Sequence, residues 1–165
     1  MIVMLILALV AGAEPADDFT RVVDAIARGG SARPAARRDA ARALAAAGAH
    51  PVDGTHDLAA AWGAMRTPPY RDRALGPGYR QIAIGGGSSA RFEQVFLAGQ
   101  RARVAVVMHG NAAVRLAVTD DDGQPQCGAR EHAGRCDWVP LWTTRYRIEL
   151  QNPGSAIASY TVVVE

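Results

Sequence analysis

Lysine is absent from the 165 residues of this chain, and cysteine occurs only at Cys127 and Cys136. All 18 basic residues are therefore arginines, and they are scattered along the sequence. A nucleic-acid interface needs clustered positive charge, whereas the formal net charge here is only +2. The composition gives no indication of nucleic-acid binding.

No apolar stretch is long enough to span a bilayer, which takes about 20 apolar residues. The run from Met1 to Val10 is followed by Ala11-Gly12-Ala13, which has the small-x-small form accepted by signal peptidase. We expect residues 1–13 to be a signal peptide and the mature chain to be periplasmic or secreted, with no stable membrane span. The alternative is that the run is a buried N-terminal strand or helix.

Two cysteines in an exported chain indicate a single disulfide between Cys127 and Cys136. A catalytic free thiol is the alternative. It would require one exposed cysteine with a histidine partner, and the sequence pattern favours the disulfide.

The segment from Asp17 to Met65 has helical spacing. Its first helix has one apolar face, is capped by Asp17 or Asp18, and ends at Gly29-Gly30. A second helix is expected from Pro34 to Ala47, with Arg37, Arg38 and Arg42 on a solvated side rather than on an anion-docking face. A third follows Asp53 or Thr55. The apolar residues are Phe19, Val22, Val23 and Ile26 in the first helix and Leu58, Trp62 and Met65 in the third.

From Tyr79 onward the apolar residues alternate with a period of two, which is typical of strands that bury one face. The clearest strands cover 101–108, 114–119, 146–151 and 160–164, and weaker ones cover 80–84, 92–97 and 136–140. Turn residues such as Asp122-Gly123 and Asn152-Pro153-Gly154 separate them. Seven or eight such strands predict a two-sheet sandwich.

These patterns divide the mature chain into a helical region with a linker, residues 14–77, and a β-sandwich domain, residues 78–165. The stretch from Thr67 to Gly78 breaks all periodicity and is expected to be a linker or a strap over the sandwich. Because the strands contain most of the large apolar residues, we expect residues 78–165 to fold without the helices.

Three segments of the last half of the chain carry a resemblance to a known family. They are Phe96-Leu97-Ala98-Gly99-Gln100, Leu116 to Gly123, and Thr143 to Asn152. Together they resemble the bacterial pre-peptidase C-terminal domain. The resemblance implies a mainly β, jelly-roll-like antiparallel sandwich that serves as an accessory module of exported proteins, and it implies no catalytic residues. Residues 1–77 do not resemble a peptidase, so we expect no role in assisting a protease, and the cysteine pair is not part of the general pattern.

Asp120-Asp121-Asp122-Gly123 is the strongest metal candidate, with Asp120 and Asp122 as possible calcium ligands. The same residues are typical of a hairpin turn, and the distal glutamate of a full calcium loop is absent, so we predict a turn. His50, His56, His109 and His132 show no metal-pair spacing. No cofactor is expected.

Trp138 and Trp142 flank Pro140 and are the candidate ligand-binding residues. They form either a lid on the sandwich, which the sequence favours, or an exposed contact patch. The absence of a Gly-x-Ser-x-Gly elbow gives no support to nucleophilic hydrolysis.

The sequence therefore predicts an exported, non-enzymatic accessory or binding module of the cell envelope, with an unidentified envelope protein or polysaccharide as its partner. One alternative is a carbohydrate-binding module, which requires Trp138 and Trp142 to be exposed and coplanar. The less favoured alternative is a sandwich hydrolase, for which His109, His132, Asp120 and Asp137 are the residues to test.

Overall fold

A computed structural model describes residues 16–30, 33–52, 54, 56–64, 76–127 and 134–165. The expected signal peptide, Met65, His132 and most of the expected strap lie outside the described residues. The fold is mainly β with a short helical N-terminal region, as the sequence predicts.

Two sheets form the sandwich. The strands, in chain order, are β1 (His50–Pro51), β2 (Gly78–Ile84), β3 (Ser89–Phe96), β4 (Ala102–Met108), β5 (Arg115–Thr119), β6 (Arg135–Trp138), β7 (Thr144–Gln151) and β8 (Ala158–Val164). The five-stranded sheet has the order β1-β2-β8-β4-β6, and the three-stranded sheet has the order β3-β7-β5. All pairings are antiparallel except that of β1 with β2, in which His50 lies opposite Gly78.

The inward faces of both sheets form one hydrophobic core. Val104 and Val106 of β4 lie in this core with Ile148 and Leu150 of β7 and Val162 of β8. Their alternation with outward residues is the period of two expected for a sandwich. The predicted strands in this part of the chain are therefore confirmed, with ends that shift by one to three residues.

Three helices precede the sandwich: α1 (Asp18–Gly29), α2 (Pro34–Ala46) and α3 (Leu58–Ala61). The Asp17 carboxylate caps α1 by accepting a hydrogen bond from the Thr20 N–H at 2.8 Å. Asp57 caps α3 in the same way. Among the described residues, no helix has the length and apolar character needed to cross a membrane.

The helices cover the outer face of the five-stranded sheet and create a second hydrophobic cluster. In this cluster Phe19 and Ile26 of α1 and Leu44 of α2 lie with Val107 of β4 and Val163 of β8. The expectation that each strand buries only one face is thus wrong for β4 and β8, because helices replace solvent on the second face. Tyr79 joins the same cluster, and its hydroxyl accepts a hydrogen bond from the Leu58 N–H at 2.8 Å.

Arg103 is the main polar residue on this second face of β4. Its guanidinium donates hydrogen bonds to the Asp17 and Glu165 carboxylates. It also lies 4.5 Å from the centroid of the Phe19 ring, which is a cation–π arrangement. Arg103 therefore links the start of α1, the sheet and the end of β8.

We expect Arg103→Ala to lower the free energy of unfolding by about 1 to 2 kcal/mol. The change removes two charge-assisted hydrogen bonds and the contact with Phe19, while both carboxylates are exposed enough to be hydrated. Arg101→Ala is the matched control, since the Arg101–Asp137 pair is solvent-exposed and about 0.5 kcal/mol is expected. Urea unfolding measures both, and equal losses would contradict the role given to Arg103.

The melting temperature should fall in two stages as the pH is lowered. Burial lowers the pKa of His109, so below about pH 6.5 the unfolded chain takes up a proton that the folded chain does not, and stability is lost. The pKa of Asp17 is lowered by hydrogen bonds from the Thr20 backbone and Arg103, and that of Asp137 by its hydrogen bond from Arg101. Their stabilisation is present above about pH 4 and is lost as the pH falls below that value.

Thermal melts followed by circular dichroism between pH 8 and pH 3 test this prediction. His109→Gln should remove the first stage and leave the second, because glutamine can retain a hydrogen bond to Thr161. A melting temperature that is constant from pH 7 to pH 5 in the unsubstituted protein would refute the assignment to His109.

Candidate binding surface

Two loops meet at one end of the sandwich. Residues 97–101 connect β3 to β4, and residues 139–143 connect β6 to β7. The Gly99 N–H donates a hydrogen bond to the Pro140 carbonyl at 2.8 Å, and the Ala98 N–H donates one to the Thr143 hydroxyl at 3.0 Å. These bonds hold the two loops side by side, and both loops connect the β3–β7 pair of one sheet to the β4–β6 pair of the other.

Four large apolar side chains on these loops face solvent. Leu141 is 82% exposed and Trp142 is 79% exposed, and Val139 and Leu97 are exposed by 57% and 49%. We call Leu97, Val139, Leu141 and Trp142 the tip surface. Four exposed apolar side chains on two adjoining loops make this end of the sandwich the candidate interaction site.

Trp138 lies beneath this surface and has a different environment from Trp142. Its ring contacts Phe96 at a centroid distance of 4.9 Å and Tyr146 at 5.2 Å. It is half-buried against the inner core, whereas Trp142 is in solvent. The two tryptophans therefore do not share one exposed face: Trp138 covers the core, and Trp142 belongs to the tip surface.

This difference leads to a matched pair of variants. Trp138→Ala should lower the free energy of unfolding by about 2 kcal/mol, because it removes ring contacts with the core. Trp142→Ala should change it by less than about 0.5 kcal/mol, since an exposed side chain loses few contacts. Urea unfolding compares the two, and a similar loss in both would show that Trp142 also packs on the fold.

The charged side chains that flank the tip surface are mostly paired. Arg101 forms an ion pair with Asp137 at 2.5 Å, and Arg145 forms one with Glu93 at 3.2 Å. The Arg101 hydrogen bonds are also what lowers the pKa of Asp137. These pairs form a polar rim around the apolar side chains.

The Asp120–Asp122 turn adjoins the same end of the sandwich. One Asp120 carboxylate oxygen accepts hydrogen bonds from the N–H groups of Asp122 and Gln124, at 3.1 and 2.8 Å. Asp121 accepts one from the Thr144 hydroxyl at 2.7 Å. Among the described residues, no group of three or more histidine, cysteine, aspartate or glutamate side chains is arranged to hold a metal ion. The predicted turn is present at residues 121–122, and a calcium role for Asp120 and Asp122 stays the untested alternative.

The disulfide fixes the strand that leads to the tip surface. Cys127 and Cys136 are joined, with their Cα atoms 5.8 Å apart, as the sequence predicts. Cys136 is buried on β6, two residues before Trp138 and on the same face of the strand. The disulfide therefore holds β6 and its tryptophan to the preceding loop.

A groove of about 290 Å³ opens beside Leu97, at the same end of the sandwich. Its polar lining includes His50, Arg101 and Glu165. Arg101 is paired with Asp137 and Glu165 with Arg103, and none of the described residues that line the groove is a serine, threonine or cysteine. The described lining therefore contains no nucleophile with an adjacent base.

The remaining histidines and a second groove lie elsewhere. His109 is near the end of α1, with its Nε2 2.9 Å from the Thr161 hydroxyl, and His56 precedes α3. A second groove of about 370 Å³ has a mainly apolar lining that includes Met108, Val114 and Pro153. Among the described residues proposed for the hydrolase alternative, Asp120 is in a turn, Asp137 pairs with Arg101 and His109 lies beside the Thr161 hydroxyl, whereas His132 lies outside the described residues.

Comparison with known proteins finds likeness of fold only. No protein-family model matches the chain, and no curated protein matches its sequence. Three solved structures with a similar fold are a periplasmic inhibitor of g-type lysozyme, PliG, from Aeromonas hydrophila, the Yersinia pseudotuberculosis-derived mitogen, and the pre-peptidase C-terminal domain of a Bacillus anthracis collagenase.

The PliG structure is 16% identical with a TM-score of 0.44, and the match covers 71% of this chain and 94% of that one. The mitogen is 12% identical with a TM-score of 0.45, over 54% and 84% of the two chains. The collagenase domain is 8% identical with a TM-score of 0.43, over 53% and 87%. The family that the sequence resembles is therefore among the similar folds, at identities too low to indicate a shared function.

Proposed function

We propose that this chain is an exported, non-enzymatic binding module that holds a protein of the cell envelope at its tip surface. The observation that carries the proposal is the exposure of Trp142 and Leu141 on a loop whose backbone is fixed. Tryptophan is among the residues that contribute most to binding energy when a partner buries it.

The loops of the tip surface are held in one conformation in the free protein. Hydrogen bonds from Gly99 and Ala98 hold the loop that carries Trp142, and Trp138 anchors its start in the core. A fixed loop loses little conformational freedom on binding, so more of the contact energy appears as affinity.

Two further observations support export and a non-enzymatic role. A disulfide is typical of proteins outside the reducing cytoplasm, which supports export. The described residues that line the groove beside Leu97 include no serine, threonine or cysteine, and Arg101 and Glu165 are engaged in ion pairs, which supports binding rather than hydrolysis.

Photo-crosslinking in the cells that naturally produce the protein tests the proposal. The photoreactive amino acid p-benzoylphenylalanine replaces Trp142 in one variant and Ile157 in the control. Ile157 is 74% exposed and follows β7, at the other end of that strand from Trp142. Irradiation should give a discrete protein adduct from position 142 and not from position 157.

Other outcomes separate the alternatives. The paired platform of Trp138 and Trp142 required by the carbohydrate-binding module is not present, because Trp138 packs on the core, so an adduct with polysaccharide at position 142 would assign a sugar contact to Trp142 alone. Equal labelling at positions 142 and 157, or no adduct at position 142, would refute binding through the tip surface.

A further inference from the structure

We propose that the partner of the tip surface is a basic protein, in which cationic side chains face the Asp120–Asp122 turn and an apolar pocket receives Trp142. This inference rests on the proposed function and specifies the chemistry of its partner. It follows from the position and the unbalanced charge of the turn.

The turn is joined to the tip surface by hydrogen bonds. Asp121 accepts a hydrogen bond from the hydroxyl of Thr144, which is two residues after Trp142 in the chain. The neighbouring hydroxyl, that of Thr143, holds the loop of Leu97 through the Ala98 N–H. The turn, the loop of Trp142 and the loop of Leu97 therefore lie side by side across one end of the sandwich.

The turn brings three carboxylates to this end of the sandwich, and Arg147, which lies opposite Thr119 in the sheet, offsets at most one of them. The flanking acids Asp137 and Glu93 are paired with Arg101 and Arg145. By contrast, in the ranges that the structure covers, none of the three turn carboxylates forms an ion pair with an arginine or a histidine. A partner that buries Trp142 would bring its own rim close to this excess negative charge.

Charge complementarity then selects the class of partner. Like charges placed opposite each other across an interface are costly, while a positive rim is attracted to the turn and speeds association. Anionic lipid headgroups and acidic polysaccharides carry the wrong charge for this position. A protein surface with arginine or lysine around an apolar pocket satisfies both the turn and Trp142.

The same crosslinking variant at position 142 tests the inference in a mixture of the purified protein with proteins extracted from the cell envelope. Adduct yield is measured at about 20 mM and about 300 mM salt, where exposed charges are weakly and strongly screened. It is then measured again with Asp121→Asn and Asp122→Asn introduced together. Asparagine at position 121 can still accept the Thr144 hydrogen bond, so the turn is preserved.

A variant with Asp24→Asn and Asp39→Asn is the matched control, because it removes two exposed carboxylates from α1 and α2 and leaves the turn intact. At low salt, we expect the turn variant to lower the adduct yield about fivefold. For the protein with an unchanged turn, raising the salt from low to high should lower the yield by about the same factor. The control substitutions should leave the yield unchanged. The crosslinked partner peptide should contain more arginine and lysine than aspartate and glutamate.

The possible failures are distinct. An adduct whose yield is insensitive to both salt and the turn variant, or whose partner peptide is acidic, would overturn this inference and leave the tip surface as a binding site. An adduct with a second copy of this chain would overturn it in the same way. The absence of any adduct at position 142 would overturn the proposed function as well.

Discussion

A protein that consists of residues 78–165 alone is expected to be partly unfolded and prone to aggregate. Tyr79, Ala105, Val107 and Val163 are each at most 6% exposed, because α1, α2 and α3 cover them. Without the helices this apolar face would meet water, at about 1.5 to 3 kcal/mol for each large side chain. For the three large side chains the total is about 5 to 9 kcal/mol, which is comparable to the whole stability of a small domain.

Loss of the helical region also removes two polar constraints. Arg103 would lose Asp17, and β2 would lose its pairing with His50–Pro51 and become an open edge. Open strand edges promote association between molecules. Like the exposed apolar face, both effects lower the stability of residues 78–165 or promote their aggregation.

Size-exclusion chromatography and near-ultraviolet circular dichroism of residues 78–165 and of residues 14–165 measure the difference. A second variant of the short protein carries Val107→Thr and Val163→Thr, which make the uncovered face more polar while retaining β-branched side chains. This variant should be more soluble than its parent. Cooperative unfolding of the unsubstituted short protein, with no loss of solubility, would instead support the predicted domain boundary at residues 77 and 78.

The strands could be predicted because their signal is local. Alternation in β5 and β7 reflects one core face and one solvent face, and the structure has both. In β4 and β8 the apolar residues also alternate, but both faces of these strands are buried. The continuous apolar runs Val104–Met108 and Val162–Val164 are typical of strands covered on both sides, and this signal could have identified the helix-covered sheet. The two-residue β1 has no such signal, because its pairing with β2 depends on distant parts of the chain.

The candidate site could be predicted only in part. The sequence singles out Trp138 and Trp142 and favours a lid on the sandwich, which fits the half-buried Trp138 but not Trp142, which is 79% exposed. Trp138 has the same strand register as the buried Cys136, which places its ring on the core. Trp142 follows Pro140, where the strand has ended, so the register no longer determines its direction. The adjoining loop that carries Leu97 connects β3 to β4, far from Trp142 in the chain, and local sequence patterns contain no information about that contact.

Removal of the disulfide should lower the free energy of unfolding by about 3 kcal/mol. Cys127 and Cys136 are nine positions apart, and closing a loop of this size is worth about 2 to 3 kcal/mol in the chain-entropy model. The double change Cys127→Ala and Cys136→Ala adds a small packing loss, because Cys136 is buried in the inner core. Alanine is preferred to serine, since a serine hydroxyl at position 136 would be buried without an established partner.

Urea unfolding of the double variant is compared with that of the unsubstituted protein with and without dithiothreitol. Reduction breaks the same bond without changing the packing at Cys136, so it should account for most of the loss seen in the variant. Because β6 continues from Cys136 into Trp138, the tryptophan emission should also shift towards that of exposed indole. Full reaction of the native protein with a thiol reagent before reduction would contradict the pairing. If dithiothreitol breaks the bond and the free energy of unfolding does not change, the inner core alone holds β6 in place.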